Sequence, residues 1–215
     1  PLSPIIATFS PFLISSDKEY MSIYLKDSIE HPLEKKNGEI RRFDYIITMP
    51  PVKNDYPIEL LREDKYQRFN YTKIGNFKSK DWIYLDHVIS TLTDKGKAMV
   101  FLPRFLLSDE GENKAIREAL VKLDLIEKII ILPENALKKD NKEMCCFIIN
   151  KMKEEKNVID FINLKALEKM QNYDYEYYGL KLISNENTEE ELNKLHKKWT
   201  IENLREKGYN LDIFH

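Results

Sequence analysis

The chain has 215 residues, 42% of them hydrophobic and 33% charged, and its 34 basic residues balance 36 acidic ones to a formal charge of −2. That composition fits a protein long enough to bury a real core. It excludes a chain that is disordered throughout, and one whose overall positive field attracts nucleic acid, so such contacts would have to come from local patches or a partner subunit. No apolar run approaches the ~20 residues needed to cross a bilayer, and the opening Pro1-Leu2-Ser3-Pro4-Ile5-Ile6-Ala7 lacks the basic flank of a signal peptide. Cys145 and Cys146 are adjacent in an apolar run, a poor arrangement for a structural disulfide or a metal or redox site. They read as buried, reduced thiols of a cytoplasmic protein, with a catalytic thiol as the sharper alternative.

Residues 1–18 are rich in proline and read as an irregular arm. Tyr20 to Ile29 reads as a strand built on Met21-Ser22-Ile23-Tyr24-Leu25, which places Asp27 just past a strand end; taken alone, Asp27 is a solvated turn aspartate. Asn37-Gly38 marks a polar turn leading into Arg42 to Val52. There Phe43, Tyr45, Ile46 and Ile47 form a nearly continuous apolar row, which predicts a strand covered on both faces in a parallel sheet. Pro50 and Pro51 cannot donate to a ladder and force the chain out. The carboxyl end of a buried strand is where open α/β sheets place ligand chemistry, although an ordinary strand with a rigid turn reads the same way.

From Lys53 to Lys80 the segment is polar, with Tyr56, Tyr66, Phe69, Tyr71 and Phe77 among Arg62, Lys65, Arg68, Lys73 and Lys78. Aromatic and basic residues so interleaved can stack on a nucleic acid strand, or the aromatics can pin a long loop to the surface, which composition favours. Ser79 is positioned to cap a helix with Leu85, Val88, Ile89 and Leu92 at helical spacing, ended by Asp94-Lys95-Gly96. A strand Ala98–Leu102 follows, then a helix capped at Ser108 or Asp109 with Ile116, Ala119, Leu120 and Leu123 on one face. Ile126 to Leu132 and Met144 to Ile149 are further strands, and the short link between them leaves no room for a crossover helix, so the second should be antiparallel. Val158 to Ile162 is another. The acidic aromatic patch Tyr173 to Tyr178 suits a packed turn or a partner surface. Thr188 and Glu191 form a capping box for a charged helix carrying Leu192, Leu195 and Trp199, and a second short helix from Thr200 is stopped by Gly208.

Strands alternating with helices predict a doubly wound α/β fold with a mixed sheet. The expected organisation is an arm (1–18), a partial α/β domain (19–165) and a helical carboxyl-terminal extension (166–215).

Taken in order, these stretches resemble the carboxyl-terminal half of the modification (M) subunit of type I restriction-modification systems, a family of adenine-specific DNA methyltransferases. Phe43 to Val52 is similar to the family's strand and its NPPF-type catalytic loop. Asp81-Trp82-Ile83-Tyr84-Leu85-Asp86-His87-Val88 resembles a helix that begins with Trp and carries a His. Gly96 to Pro103 resembles the next strand, Ile116-Arg117 with Leu125 to Pro133 resembles an "iR…L…vI.LP" run, and Tyr209-Asn210-Leu211-Asp212-Ile213 resembles the closing "YNLdi" signature.

The resemblance implies a Rossmann-like S-adenosylmethionine-dependent fold with a mixed, mostly parallel sheet flanked by helices, incomplete at the amino end. It implies transfer of methyl to adenine N6 in DNA, with specificity and restriction subunits as partners and no metal. The target adenine is flipped out of the duplex; in the family, the polar first residue of the loop and the first proline carbonyl accept from its amino group, and the terminal aromatic stacks on the ring. That places the target loop at Met49, Pro50, Pro51 and Val52, and a contact to the cofactor adenine at Asp27.

Two positions depart from the pattern. A Met49 thioether is a weak acceptor where Asn or Asp is expected, and Val52 has no π-face where an aromatic is expected. The family's glycine-rich cofactor loop does not occur in these residues. The chain therefore reads as a fragment or a degenerate relative that is inactive alone, with a noncatalytic module for subunit or DNA binding as the alternative, and an unrelated α/β domain with fortuitous matches as a third reading.

Overall fold

The computed structural model describes residues 24–51, 56–78, 80–134, 136, 143–170, 172–186 and 189–214. The chain divides into two units, residues 1–32 and 33–215, and each is described by itself.

In the larger unit, β1 (Phe43–Thr48), β2 (Leu92–Pro103), β3 (Ile126–Ile131), β4 (Met144–Asn150), β5 (Val158–Asn163) and β6 (His196–Thr200) build one sheet ordered β1-β2-β4-β3-β5-β6. β1 with β2 and β3 with β5 are parallel, whereas β4 is antiparallel to both β2 and β3, and β6 is antiparallel to β5. Four of the six strands thus run in one direction, and the sheet is mixed as expected. β4, the next strand in sequence after β3, lies between β2 and β3.

The helices are α1 (Ile58–Arg62), α2 (Asn70–Ile74), α3 (Ile83–Thr91), α4 (Glu112–Lys122), α5 (Leu164–Glu168), α6 (Tyr175–Ser184) and α7 (Ile201–Glu206). On one face, Leu85 and Val88 of α3, Ile116 and Leu120 of α4 and Leu204 of α7 pack with Val100, Ile129, Phe147 and Phe161 of the sheet. On the other, Leu164 and Leu167 of α5, Leu182 of α6, and Leu192 and Leu195 pack on Ile130, Cys146 and Ile162. Strand alternation sends Cys145 to the first core and Cys146 to the second. Both are free and buried. Burial pushes the Cys146 thiol to about 12 and the Cys145 thiol well up, so no nucleophilic thiolate is available there.

Several local expectations are corrected. Among the described residues β1 is an edge strand, not one covered on both faces: Tyr45 is 80% and Ile47 63% exposed, while the alternate Ile46 packs on the first core. The helix expected to run to Leu92 ends at Thr91, and Asp94-Lys95-Gly96 belongs to β2. Gly96 sits where the β1–β2 register slips; a Cβ there would lie 3.1 Å from the Phe43 carbonyl oxygen and 2.8 Å from Leu92 Cδ2. α4 is capped at Gly111, with φ 71°, rather than at Ser108 or Asp109. Asp109 instead accepts from Asn113 Nδ2 at 2.6 Å. The stripe Leu192, Leu195 and Trp199 is split between a 3₁₀ segment (Glu190–Leu195) and β6; Thr188 lies outside the described residues. The short helix from Thr200 is present as α7, with a Thr200/Asn203 capping box and Gly208 beyond it at φ 61°.

Candidate functional site

The chain leaves the sheet at the carboxyl end of β1 through Met49 and Pro50, both half-buried, and the exposed Pro51. Val52 lies outside the described residues. Thr48 is level with Val100 of β2, so the loop leaves one strand over from the corner where β2 ends at Pro103.

That corner is tied together by charged groups the sequence reading passed over. Arg104, directly after Pro103, donates from Nε and Nη2 to the two oxygens of Asp212 at 2.8 and 2.9 Å, and from Nη1 to Glu143 at 2.7 Å. Lys165 bonds Glu143 at 2.5 Å and Glu134 at 2.8 Å. The Lys165 hydrogen bond leads in holding the Glu143 carboxyl below its usual range. Arg117 of α4 is fully buried and donates to the carbonyls of Tyr209, Leu106 and Asp109 at 3.0, 2.9 and 2.5 Å. The Leu211 N–H donates to the Leu107 carbonyl. Two stretches far apart in sequence, Ile116-Arg117 and Tyr209 to Ile213, therefore meet at the β2 corner. A lone arginine after a strand-ending proline was the available signal.

The Trp-to-His helix is bound into its surroundings. Trp82 Nε1 donates to Asn113 at 2.7 Å. His87 Nδ1 accepts from Arg68 Nη1 at 2.9 Å, and Arg68 pairs with Asp64 at 2.7 Å. Asp86, buried, accepts from the Tyr71 and Thr72 N–H groups at 3.2 and 2.7 Å and from the Thr72 hydroxyl at 2.5 Å. Tyr56, Phe69 and Phe77 are buried, Arg68 is paired inside, and Lys65 and Lys78 bridge to Glu34 and Glu112. The interleaved segment is a set of loop anchors, as its composition favours, rather than an open stacking platform.

In the smaller unit, Tyr24 and Leu25 are exposed and outside any strand, and residues 20–23 of the expected strand lie outside the described residues. Asp27 heads a turn: its Oδ1 accepts from the Ile29 and Glu30 N–H groups at 2.7 and 3.3 Å, and its carbonyl accepts from His31.

A cavity of about 380 Å³ opens at the other end of the sheet, among Lys128, Asn150, Asp160 and Asn185. Lys128 is paired with Asp160 at 3.2 Å and with Asn185 at 2.9 Å. Burial opposes the Asp160 charge, but His196 and Lys128 outweigh it and hold the carboxyl at about 2. Among the described residues, no cluster of three or more His, Cys, Asp or Glu could hold a metal ion, and no helix is long and apolar enough to cross a membrane.

The family model for N-6 DNA methylases matches residues 5–215. The chain belongs to the N-6 DNA methylase family. It is 28% identical over 230 residues to the type I restriction enzyme MjaVII methylase subunit of Methanocaldococcus jannaschii, covering 97% of this chain and 38% of that subunit. In structure it is similar to the type I restriction-modification methyltransferase subunit from Streptococcus thermophilus, with a TM-score of 0.71, 19% identity, and coverage of 92% of this chain and 42% of that one. The EcoKI M protein gives a TM-score of 0.54 at 17% identity, covering 87% and 45%. This N-6 DNA methylase chain thus has the methyltransferase fold, and it spans about two fifths of the length of the curated relatives it matches.

Proposed function

We propose that this chain is the target-loop portion of a type I modification methylase that does not transfer methyl by itself. The observation that carries this reading is the Met49-Pro50-Pro51-Val52 sequence at the carboxyl end of a strand, where an NPPF-type loop belongs. Adenine N6 needs an acceptor oxygen at the first position to orient its lone pair, and a thioether does not supply one. Losing that hydrogen bond and one base stack costs about 1–3 kcal/mol each. Together they lower the rate by roughly thirtyfold to twenty-thousandfold if both act in the transition state.

In the family, S-adenosylmethionine supplies the methyl group and Asp27 marks the contact to its adenine. The described residues fit that cofactor poorly. The family's glycine-rich loop does not occur in the 215 residues, and Asp27 Oδ1 already accepts from two backbone N–H groups of its own turn. DNA and the specificity and restriction subunits are the partners this reading implies, in a cytoplasmic complex without metal. The noncatalytic subunit- or DNA-binding module is the second reading, favoured by the same Met49 and Val52.

Isothermal titration with S-adenosylmethionine tests the incomplete cofactor pocket that both readings share. The expected result is no binding by this chain, and tight one-to-one binding would overturn the incomplete pocket. Met49→Asn combined with Val52→Phe is expected to give no transfer of labelled methyl to DNA by the chain alone. Detectable transfer would show that the 215 residues already hold a working cofactor site.

A further inference from the structure

α6 packs on the sheet through one side and carries apolar groups on the other as well. Leu182 is buried in the second core and Tyr178 rests against it, whereas Tyr177 is 53% and Leu180 68% exposed. Tyr177 and Leu180 are three apart and form one outward stripe. The outer side of a helix in a globular protein is ordinarily polar, and a paired aromatic and aliphatic side chain there is a contact surface in want of a partner.

Tyr177 also belongs to a cluster of three rings. Tyr178 stands edge-on to both others, with ring centroids 5.0 Å from Tyr173 and 4.9 Å from Tyr177. Lys181 Nζ lies 4.7 Å from the Tyr177 ring centroid, so the exposed ring already holds a cation supplied by the chain itself. The Tyr173 hydroxyl donates to Glu191 at 2.9 Å, which brings the 3₁₀ segment alongside. The surrounding charge is one-sided. Glu168 to Glu191 holds seven carboxylates against two lysines, in a chain whose formal charge is −2, and Glu168, Asp174, Glu176, Glu190 and Glu191 are exposed.

We propose that this face of α6, with the 3₁₀ segment beside it, docks an amphipathic helix of a partner protein that bears lysine and arginine. The apolar side of that helix lies along Tyr177 and Leu180, one of its cations takes the place of Lys181 on the Tyr177 ring, and the others meet the bordering carboxylates. Two observations favour this occupant. The border has the wrong sign for a nucleic acid backbone. A second copy of this chain would set the same carboxylates against each other across a two-fold axis, where like charges repel. Neither Met49 nor Val52 enters the inference, so it holds independently of methyl transfer.

The test titrates the 215-residue chain into two labelled helical peptides of equal length, with leucine on one side and either lysine and arginine or glutamate on the other. Fluorescence anisotropy should show the basic peptide bound one to one and at least tenfold more tightly than the acidic one, and more weakly as salt rises. Amide NMR shifts on binding should centre on α6 and Glu190–Leu195. Leu180→Gln and Glu176→Lys should each weaken binding at least fivefold, whereas Ile74→Gln, at another exposed apolar position, should leave it unchanged. Lys181→Met clears the Tyr177 ring and should tighten binding at least twofold, by more than the charge-matched Lys169→Met does. No binding of the basic peptide, equal affinity for the two peptides, binding unaffected by Leu180→Gln and Glu176→Lys, no gain from Lys181→Met beyond that of Lys169→Met, or self-association of the chain through α6 would each overturn the proposal.

Discussion

At the scale of single residues, Asp86 shows how a carboxylate inside a family motif serves structure. It holds the first turn of α2 through the Tyr71 and Thr72 N–H groups and the Thr72 hydroxyl. Burial dominates these three donors and raises its pKa from 3.8 to about 6. The folded state therefore binds the proton more tightly than the unfolded chain does. The stability from this group is fully present below about pH 4 and is lost as pH rises through 6, by about 3 kcal/mol for two pKa units. Asp86→Asn should flatten that part of the stability–pH curve in urea unfolding followed from pH 4 to 7. Asp86→Ala should remove the same slope and in addition cost about 1–3 kcal/mol by orphaning buried N–H groups, so its deficit against the parent is largest near pH 4. An unchanged slope in Asp86→Asn would show that another group titrates there.

At the scale of elements, the closing segment Tyr209 to Ile213 is a strap across the β2 corner. Arg104 and Asp212 lie 108 residues apart yet form a two-pronged, nearly buried pair. Removing one partner of a buried pair strands the other charge. Asp212→Asn should cost about 2–4 kcal/mol, the lower part of the range reflecting the Glu143 carboxylate that Arg104 keeps. The double variant Arg104→Gln/Asp212→Asn should cost less than the two single changes added together, by about 1 kcal/mol or more. Additive costs in urea unfolding, or no faster exchange at the Leu211 N–H, would show that the strap is held by Leu211 and Tyr209 packing instead. The sequence displays Asp212 within a signature but not its partner, because a contact 108 residues away leaves no local pattern.

For the whole molecule, what was legible followed from rules of short range. The link from Pro133 to Met144 was too short for a crossover, and β4 is antiparallel as that demands. Long apolar runs marked β3, β4 and β5, and Thr200 with Gly208 bracketed α7. What escaped depends on neighbours. His196-Lys197-Lys198-Trp199-Thr200 is too polar to announce a strand, and it becomes β6 because β5 offers it an edge. Phe43 to Thr48 reads as a doubly buried strand, since an apolar row carries no mark of whether its second face is covered.

That last ambiguity has a measurable consequence for the fold. With one face of β1 exposed, its two adjacent isoleucines differ sharply in what they contribute. Ile46 packs on the first core, whereas Ile47 projects into solvent. Ile46→Ala should destabilise the chain by about 1–3 kcal/mol, toward the low end of large-to-small changes because the site is only partly buried. Ile47→Lys should stay within about 0.5 kcal/mol of the parent and should reduce binding of a hydrophobic dye, since it interrupts the apolar strip with Tyr45 and Met99. Paired urea curves and dye titrations decide the matter: a large cost for Ile47→Lys would mean that a second layer already covers this half of the sheet in the isolated chain.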